Sequence, residues 1–363
     1  MRIYEHASQR GEFENMYVGI DVHKKSWNVH VVSEHVSLGR IHMKPPSVET
    51  LLEYLSSKYP HARLHIAYEA GFSGFWLQRK LTAYGLDCII VHPADIPTSD
   101  KDRSTKSDAV DSRNIAEGLR AQALHGIWIP SEQEEGDRVL VLYRTNLVHA
   151  LQRIKTHIKQ RLLFHGLTIP EDIDSGSWTK RLRAWLRDVR LADASAQAAL
   201  VSILTDYDNA THRLHEHGQL VRTLAHEPRH IERVRTLVRI RGIGLTTAMI
   251  LLTEIGPIDR FRSAEALASF VGLIPAERSS SERTIMLGMQ RRRHSGLRSS
   301  LIESAWVAVR HDEHLRSVYG KHISSKPAQK AIVVVARKLL NRIFYELKQE
   351  KQNQSSTPTM TDC

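Results

Sequence analysis

Residues 106–120 read KSDAVDSRNIAEGLR, and this stretch decides how the N-terminal part of the chain is interpreted. Its two aspartates, Asp108 and Asp111, are three apart, and the apolar residues after them follow helical spacing. Residues three apart lie on one face of a helix, where two carboxylates repel each other unless a cation lies between them. Such a pair suits Mg²⁺, although aspartates at a helix N-terminus also occur simply because they interact favourably with the helix dipole.

Composition limits the class of protein. The chain has 363 residues, enough for two or three domains. Its net charge is +11 with histidine neutral, and it contains 21 histidines, so nucleic acid is the favoured partner. The cysteines, Cys88 and Cys363, are too few for a disulfide framework or a cysteine zinc site. No signal peptide or apolar run of membrane-spanning length is found, which predicts a cytoplasmic protein without membrane contact.

The pattern of apolar residues predicts an α/β domain over residues 16–130. Residues 16–32 are typical of two strands joined by a tight turn, with Asp21 at the end of the first strand. A later strand at 63–68 is followed directly by Glu69. Acids at the ends of strands are how an open sheet assembles a metal site, although Asp21 is equally compatible with an ordinary turn residue.

The N-terminal part of the chain therefore offers four candidate carboxylates. They are Asp21, Glu69, Asp108 and Asp111. Four such groups would bind two Mg²⁺ ions about 4 Å apart, one activating an attacking oxygen and the other steadying the leaving oxygen of a phosphodiester.

The middle of the chain, residues 137–231, is predicted to be all-α with antiparallel helices of coiled-coil character, after a polar break at 131–136. Its first helix spans 137–164 and is predicted to carry a basic face. That face is explained equally well by contact with nucleic acid and by simple solvation. It comprises Arg144, Arg153, Lys155, Lys159 and Arg161.

Residues 232–347 are predicted to form a mostly α C-terminal domain, followed by a disordered tail at 348–363. Residues 1–15 are polar and are predicted to form a flexible N-terminus. A short turn containing Gly242 and Gly244 joins two helical patterns. It is typical of a helix-hairpin-helix element, whose backbone N–H groups bind phosphate, and equally of a glycine C-cap.

Three consecutive serines, Ser279, Ser280 and Ser281, follow in a predicted loop. Serine clusters usually mark only a loop. A serine between arginines can instead attack a phosphodiester while guanidinium groups stabilise the charge on the phosphorane. The nearby arginines are Arg278, Arg283, Arg291, Arg292 and Arg293.

Separate segments, in this order along the chain, resemble the insertion-sequence one-ten family, also called the DEDD transposases. The first two are GIDVHKKSW at 19–27 and YEAGFSGFW at 68–76. The aspartate pair described above comes next, and GLIPAERSSS at 272–281 and LIESAWVAVR at 301–310 follow it. The resemblance extends from about residue 16 to residue 347.

The resemblance implies an RNase H-type, RuvC-like N-terminal domain whose Mg²⁺ is held by the four acids. It implies a helical middle segment used in assembly, and therefore a homo-oligomer, either a dimer or a tetramer. It also implies a nucleophilic serine, which falls on Ser280 when the family segment Pro-x-x-x-Ser-Ser-Gly is matched to residues 275–281. Members recombine an insertion element with target DNA, and a structured guide RNA encoded by the element directs characterised members.

The chain departs from the family pattern at two places. Ser281 replaces the glycine after the serine pair, so Ser279 and Ser281 become candidate nucleophiles beside Ser280. Residues 291–294 read RRRH where the family often has Lys-x-Gly-Asn. The sequence predicts a transposase that forms a covalent phosphoserine intermediate. The alternatives are a RuvC-like metal-dependent endonuclease without serine chemistry and an inactive nucleic-acid-binding remnant.

Overall fold

A computed structural model describes residues 14–97, 108–280, 283–289 and 294–356. Only the backbone is described for residues 108–110, 275–280, 283–289, 295 and 353–356. The chain divides into two compact units, Met1–Ile129 and Pro130–Cys363. The two stretches that the sequence analysis treats as a middle and a C-terminal domain thus belong to one unit. Among the described residues, no helix is both long enough and apolar enough to cross a membrane.

The first unit is built on a five-stranded sheet of order β3-β2-β1-β4-β5. The first three strands form an antiparallel meander, and β4 and β5 run parallel to β1. The strands are β1 (Asn15–Val22), β2 (Trp27–Ser33), β3 (Ser37–Met43), β4 (Arg63–Glu69) and β5 (Asp87–Val91). Strand β3 is missed by the sequence analysis because it is mostly exposed and has no apolar alternation.

Helices cover both faces of this sheet. They are α1 (Val48–Lys58), α2 (Trp76–Ala83) and α3 (Asp108–Arg120). Val18 and Ile20 of β1 share a core with residues of α1 and α2. On the other face, Ala67 of β4 and Val91 of β5 share a smaller core with Ile115 of α3. Successive strand residues point to opposite faces, so these clusters show which positions of β1, β4 and β5 belong to each face.

Helix α3 lies directly on β1 at Gly19. A Cβ atom on Gly19 would be 2.1 Å from the carbonyl oxygen of Ser112 and 2.6 Å from the backbone nitrogen of Ala116. Both contacts are with helix backbone, which moves only if the whole helix moves. The absence of a side chain at Gly19 is therefore what allows α3 to dock.

We expect Gly19→Ala to destabilise the first unit by about 1–3 kcal/mol or more, because the added methyl group overpacks this contact. Chemical denaturation measures the change. The matched control is Gly71→Ala, where an added Cβ meets nothing within 4 Å. Equal unfolding midpoints for the two variants would contradict the proposed contact.

The second unit is mainly helical. Its helices are α4 (Glu132–Phe164), α5 (Lys180–Asp188), α6 (Ala194–Ala225), α7 (Ile231–Val238), α8 (Leu245–Ile255), α9 (Ala264–Val271), α10 (Ser295–His311), α11 (Glu313–Ile323) and α12 (Ala328–Ser356). Its strands are β6 (Pro275–Ser280) and β7 (Arg283–Met289). Helices α4 and α6 pair antiparallel: the Leu140 carbonyl bonds His217, whereas Ile158 shares a core with Leu200.

Helix α4 begins earlier than the sequence analysis predicts. The side chain of Ser131 accepts a hydrogen bond from the backbone of Glu134, and the Glu134 carboxylate accepts one from the backbone of Ser131. This capping box makes the polar segment a helix start rather than a break. In the first turns of this helix, Val141 is buried whereas Val139 is 63% exposed.

The end of the chain also differs from the expectation. Helix α12 continues to Ser356, so residues 348–356 are helical and do not belong to a disordered tail. The ammonium of Lys348 donates a hydrogen bond of 2.7 Å to Asp259, and Lys351 bonds the same carboxylate. The last turns of α12 have few apolar residues to pack against the rest of the protein. The ion pairs with Asp259 provide tertiary contacts that stabilise the helix there.

Candidate active site

Asp21 and Glu69 lie side by side at the carboxyl ends of two parallel strands. In the register of β1 and β4, Ile20 is opposite Tyr68, and the two acids are the next residue of each strand. Hydrogen-bonded strands lie about 4.8 Å apart, so the backbones of the two acids are close together.

Both acids belong to the face of the sheet that α3 covers. Gly19 contacts α3, so the two-residue alternation places Asp21 on the same face. Ala67 packs with α3 residues, and the same alternation places Glu69 there as well. Asp111 directly precedes Ser112, whose carbonyl lies on Gly19. The fold therefore puts two strand acids on the face covered by the helix that carries the other two.

The fourth acid, Asp108, is the first residue of α3, and its side chain lies outside the described part of the structure. Among the side chains that are described, no group of three or more His, Cys, Asp and Glu is placed to hold a metal ion. The convergence of all four carboxylates on one ion cluster therefore stays a prediction.

Polar groups that the sequence analysis did not single out surround Asp21. The Nε2 atom of His23 lies 3.0 Å from the Asp21 carboxylate. Asn28 is opposite Asp21 in the register of β1 and β2, is only 7% exposed, and accepts a hydrogen bond of 2.9 Å from His42. An asparagine between the apolar residues Trp27 and Val29 of a strand is the signal that could have identified this position.

Ser279 and Ser280 lie in a strand of a β-hairpin and not in the predicted loop. Strands β6 and β7 are antiparallel, with Ser280 opposite Arg283 and Ser279 opposite Thr284. Residues directly opposite share a face, and residues two apart in a strand do so as well. Arg278, Ser280 and Arg283 therefore occupy one face of the hairpin and Ser279 the other. Ser281 lies outside the described residues, as do Arg291, Arg292 and Arg293.

A buried carboxylate anchors the segment that follows this hairpin. Glu254 of α8 accepts two hydrogen bonds of 3.1 Å from Arg138, and the Nδ1 atom of His294 lies 3.2 Å from it. The His294 ring also packs on Phe270, with ring centroids 4.4 Å apart. Burial by itself raises the pKa of Glu254, but the bonds from His294 and Arg138 outweigh it and hold the pKa below its ordinary value of 4.5.

We expect Arg138→Ala to destabilise the protein by about 3 kcal/mol, because it leaves a buried carboxylate without its bidentate partner. The folded-state pKa of Glu254 is depressed, so the ionised group stabilises the fold above its ordinary pKa and this contribution is lost as pH falls below it. Thermal unfolding at several pH values measures both effects.

The control variant Arg187→Ala breaks an exposed ion pair with Asp208 and should leave the unfolding midpoint unchanged. A similar loss of stability in both variants would contradict the role of burial.

The two glycines of the helix-hairpin-helix candidate have different structural roles. Gly242 has φ +95, and a Cβ there would be 2.5 Å from the carbonyl oxygen of Ser304 in α10. It is therefore required for packing. Gly244 caps α8, is exposed, and has open space around it. Of the two glycines, Gly244 is therefore the better candidate for backbone contact with a phosphate.

The basic residues of α4 do not form one solvent-exposed face, contrary to the expectation. Arg153 and Lys159 are exposed, whereas Arg144, Lys155 and Arg161 are partly buried. Lys155 lies 5.5 Å from the centroid of an aromatic ring, that of Trp178, and burial lowers the pKa of its ammonium. The helix turns 100° per residue, which spreads these five positions around its circumference.

The strand order of the sheet and the acids at the ends of β1 and β4 are compatible with an RNase H-like DEDD domain. Domains of this class process nucleic acid. Comparison with known families agrees with this class. A DEDD transposase family model matches residues 18–166, and the model described as the transposase IS116/IS110/IS902 family matches residues 234–320. The chain belongs to the IS110 family of DEDD transposases and is a DNA transposase.

Individual relatives agree with this assignment. A putative transposase, y4qE, of Sinorhizobium fredii is 29% identical over 301 residues, covering 82% of this chain and 72% of the relative. The transposase for insertion sequence element IS1328 of Yersinia enterocolitica is 24% identical, covering 90% of this chain and 93% of the relative. Membership of the DEDD family implies DNA binding and dependence on a divalent metal ion.

Proposed function

We propose that this transposase cuts and rejoins the DNA of an insertion sequence with Mg²⁺ bound by four carboxylates and with Ser280 as a nucleophile. The carboxylates are Asp21, Glu69, Asp108 and Asp111. The observation that carries the proposal is the placement of Asp21 and Glu69 on neighbouring parallel strands, on the face that α3 covers.

The donor set fits a hard divalent cation. All four groups offer carboxylate oxygens, which Mg²⁺ prefers to nitrogen or sulfur ligands. When bound, Mg²⁺ would lower the pKa of an attacking group and stabilise the charge on the phosphate. The Nε2 atom of His23 lies within hydrogen-bond distance of Asp21, and a bond there orients the carboxylate. Asn28, held by His42, lies opposite and keeps the surroundings of Asp21 polar.

The hairpin register supports Ser280 over its neighbour Ser279. Ser280 shares a face of the hairpin with Arg278 and Arg283, so one residue able to attack a phosphate and two residues able to stabilise its charge have positions on the same face. In the proposed step, the Ser280 hydroxyl gives its proton to a solvent water as its oxygen bonds to phosphorus, and the bond from phosphorus to the bridging oxygen breaks, so that this oxygen takes up a proton from solvent and leaves as the free hydroxyl end of the cut strand. Serine is a weak nucleophile until it is deprotonated, and cationic groups stabilise the phosphorane charge.

The remaining contacts are proposed on charge and, where the side chains are described, on exposure. We assign DNA or RNA backbone binding to the exposed Arg153 and Lys159 and to the backbone at the exposed Gly244. The arginines at 291–293 are assigned on their charge alone. A cavity of about 370 Å³ beside Lys159 and Lys155 is lined mainly by polar groups and would accept a phosphate. A structured guide RNA and a homo-oligomer, either dimer or tetramer, remain part of the proposal through the family resemblance.

The experiment is cleavage of element-end DNA by the full chain with and without Mg²⁺, using a nicked suicide substrate that traps a covalent adduct. We expect cleavage that requires the metal ion together with a protein–DNA adduct. Cleavage without an adduct would instead indicate a RuvC-like endonuclease acting through water. DNA binding without cleavage would indicate an inactive nucleic-acid-binding protein.

We expect affinity for DNA to fall steeply with salt, because each neutralised phosphate releases condensed counterions. Fluorescence anisotropy over a salt series measures the slope. Replacing Arg153 and Lys159 with alanine should reduce the slope by about two if both contact duplex phosphates. The control replaces Lys326 and Lys338, which are also exposed, with alanine. An equal change in both double variants would refute a specific role for α4.

A further inference from the structure

Two large aromatic side chains are exposed in the segment that follows Glu69. The Phe72 side chain is 72% exposed and that of Trp76 is 49% exposed. The Trp76 ring packs against the ring of the buried Trp27, and the two ring centroids are 6.2 Å apart. Exposed aromatic groups that the fold holds in place mark binding surfaces more often than isolated apolar residues do.

The turn that carries Phe72 is anchored to the sheet. The hydroxyl of Tyr68 donates a hydrogen bond of 3.0 Å to the carbonyl of Gly74 and accepts one of 3.2 Å from the backbone of Gln78. Tyr68 itself is completely buried in β4. The exposed rings are thus presented by a segment that is hydrogen-bonded at both ends, and ordering them on binding costs little conformational entropy.

The segment that carries these rings lies at the same edge of the sheet as the carboxylates. Trp76 packs on Trp27 of the core shared with α1 and α2, whereas the carboxylates belong to the face that α3 covers. Glu69 ends β4, and the turn from residue 70 leads directly to Trp76, the first residue of α2. Trp27 begins β2 opposite Val22, which is the residue after Asp21. The β1–β2 turn at this edge also carries Lys24 and Lys25, both exposed.

Exposed rings beside exposed lysines are the combination that proteins use for single-stranded nucleic acid: bases stack on the rings and the cations contact the phosphates. A protein partner would require a larger continuous apolar surface than these two rings offer. The positive charge of the neighbouring turn attracts the phosphates of a nucleic acid. A nucleobase is therefore the group that we expect on the rings.

We propose that Phe72 and Trp76 form a stacking platform for unpaired bases of the DNA next to the phosphate that is cut. The inference rests on the proposed function, since it assigns a substrate conformation to the same edge. A base that leaves the duplex loses its stacking partners, and stacking on a protein ring offsets part of that loss. The platform selects DNA that is unpaired, or easily unpaired, at the cleavage position.

The test uses the full chain and two single-stranded oligonucleotides of equal length, one of thymidines and one with abasic sites. We expect Phe72→Ala to weaken binding of the thymidine strand by roughly tenfold and to leave the abasic strand unaffected. The matched control is Tyr345→Ala, an exposed aromatic of α12 with 64% exposure, which should change neither affinity. Equal affinities of wild type and Phe72→Ala for thymidines would overturn the proposal, as would an equal loss on both strands.

Photocrosslinking with 5-iodouracil in the single strand gives a second measurement that does not depend on stability. We expect crosslinks at Phe72 or Trp76, identified by mass spectrometry, and Trp76→Phe should retain them because it keeps a ring against Trp27. Crosslinks confined to other residues would overturn the proposal.

The crosslink also separates this inference from the proposed function. Asp21→Asn should lose cleavage and keep the crosslink, because the platform does not use the carboxylate. Wild-type cleavage without a crosslink refutes only the platform. A crosslink without Mg²⁺-dependent cleavage refutes only the proposed chemistry and leaves the platform in place.

Discussion

Asp21→Asn is expected to lower Mg²⁺-dependent DNA cleavage by roughly 100- to 1,000-fold, the scale on which one group that stabilises a transition state acts. The amide keeps the size of the side chain but removes its negative charge, so it binds a hard cation poorly. Glu69→Gln should have an effect of the same size, since Glu69 ends the neighbouring parallel strand. Single-turnover cleavage of element-end DNA at saturating protein measures both losses.

The matched control is Asp87→Asn. Asp87 is an exposed carboxylate of the same sheet, but it begins β5 and pairs with His65 at the opposite end of the strands. The Asp87→Asn variant should cleave DNA at the wild-type rate. Thermal unfolding must show that all three variants are folded. Full activity in a folded Asp21→Asn or Glu69→Gln would remove that residue from the site.

Ser280→Ala is expected to abolish the covalent protein–DNA adduct while leaving DNA affinity within about twofold, because the hydroxyl is the group that bonds to phosphorus and contributes little to binding. The nicked suicide substrate makes the adduct visible by denaturing electrophoresis. Loss of the adduct with retained binding separates a nucleophile from a residue that only contacts DNA.

Ser279→Ala is the matched control, since Ser279 is the adjacent residue but occupies the other face of the hairpin. It should still form the adduct. An adduct that persists in Ser280→Ala and disappears in Ser279→Ala would shift the nucleophile by one residue. Recombination by both variants and by Ser281→Ala would eliminate serine chemistry and leave the metal-dependent endonuclease.

The sequence alone was sufficient for the local elements that carry the acids. Strands β1, β2, β4 and β5 follow apolar patterns, and the spacing of Asp108 and Asp111 predicts the helix that the structure has as α3. Local patterns of this kind are set by residues near one another in the chain, so they can be read without tertiary information. The family resemblance was likewise visible in short segments, and the family comparisons confirm it.

The sequence was less informative where polar residues dominate. Apolar periodicity does not predict the exposed strand β3 or the start of α4, and it predicts a disordered tail where α12 has its last turns. In each case polar contacts, rather than apolar packing, stabilise the element. Strand β3 pairs with β2, α4 begins with the capping box at Ser131, and the end of α12 bonds Asp259.

Placement was decided only by the tertiary structure. That Asp21 and Glu69 are neighbours depends on the parallel pairing of β1 with β4, which are separated by a meander and a helix in the chain. That α3 covers the same face depends on Gly19, whose missing side chain admits the helix backbone. The surroundings of Asp21, including Asn28 at 7% exposure, follow from strand register. Residue types and local spacing are written in the sequence, whereas neighbours distant in the chain meet only through strand pairing and packing, and those interactions decide which of the candidate acids share a face.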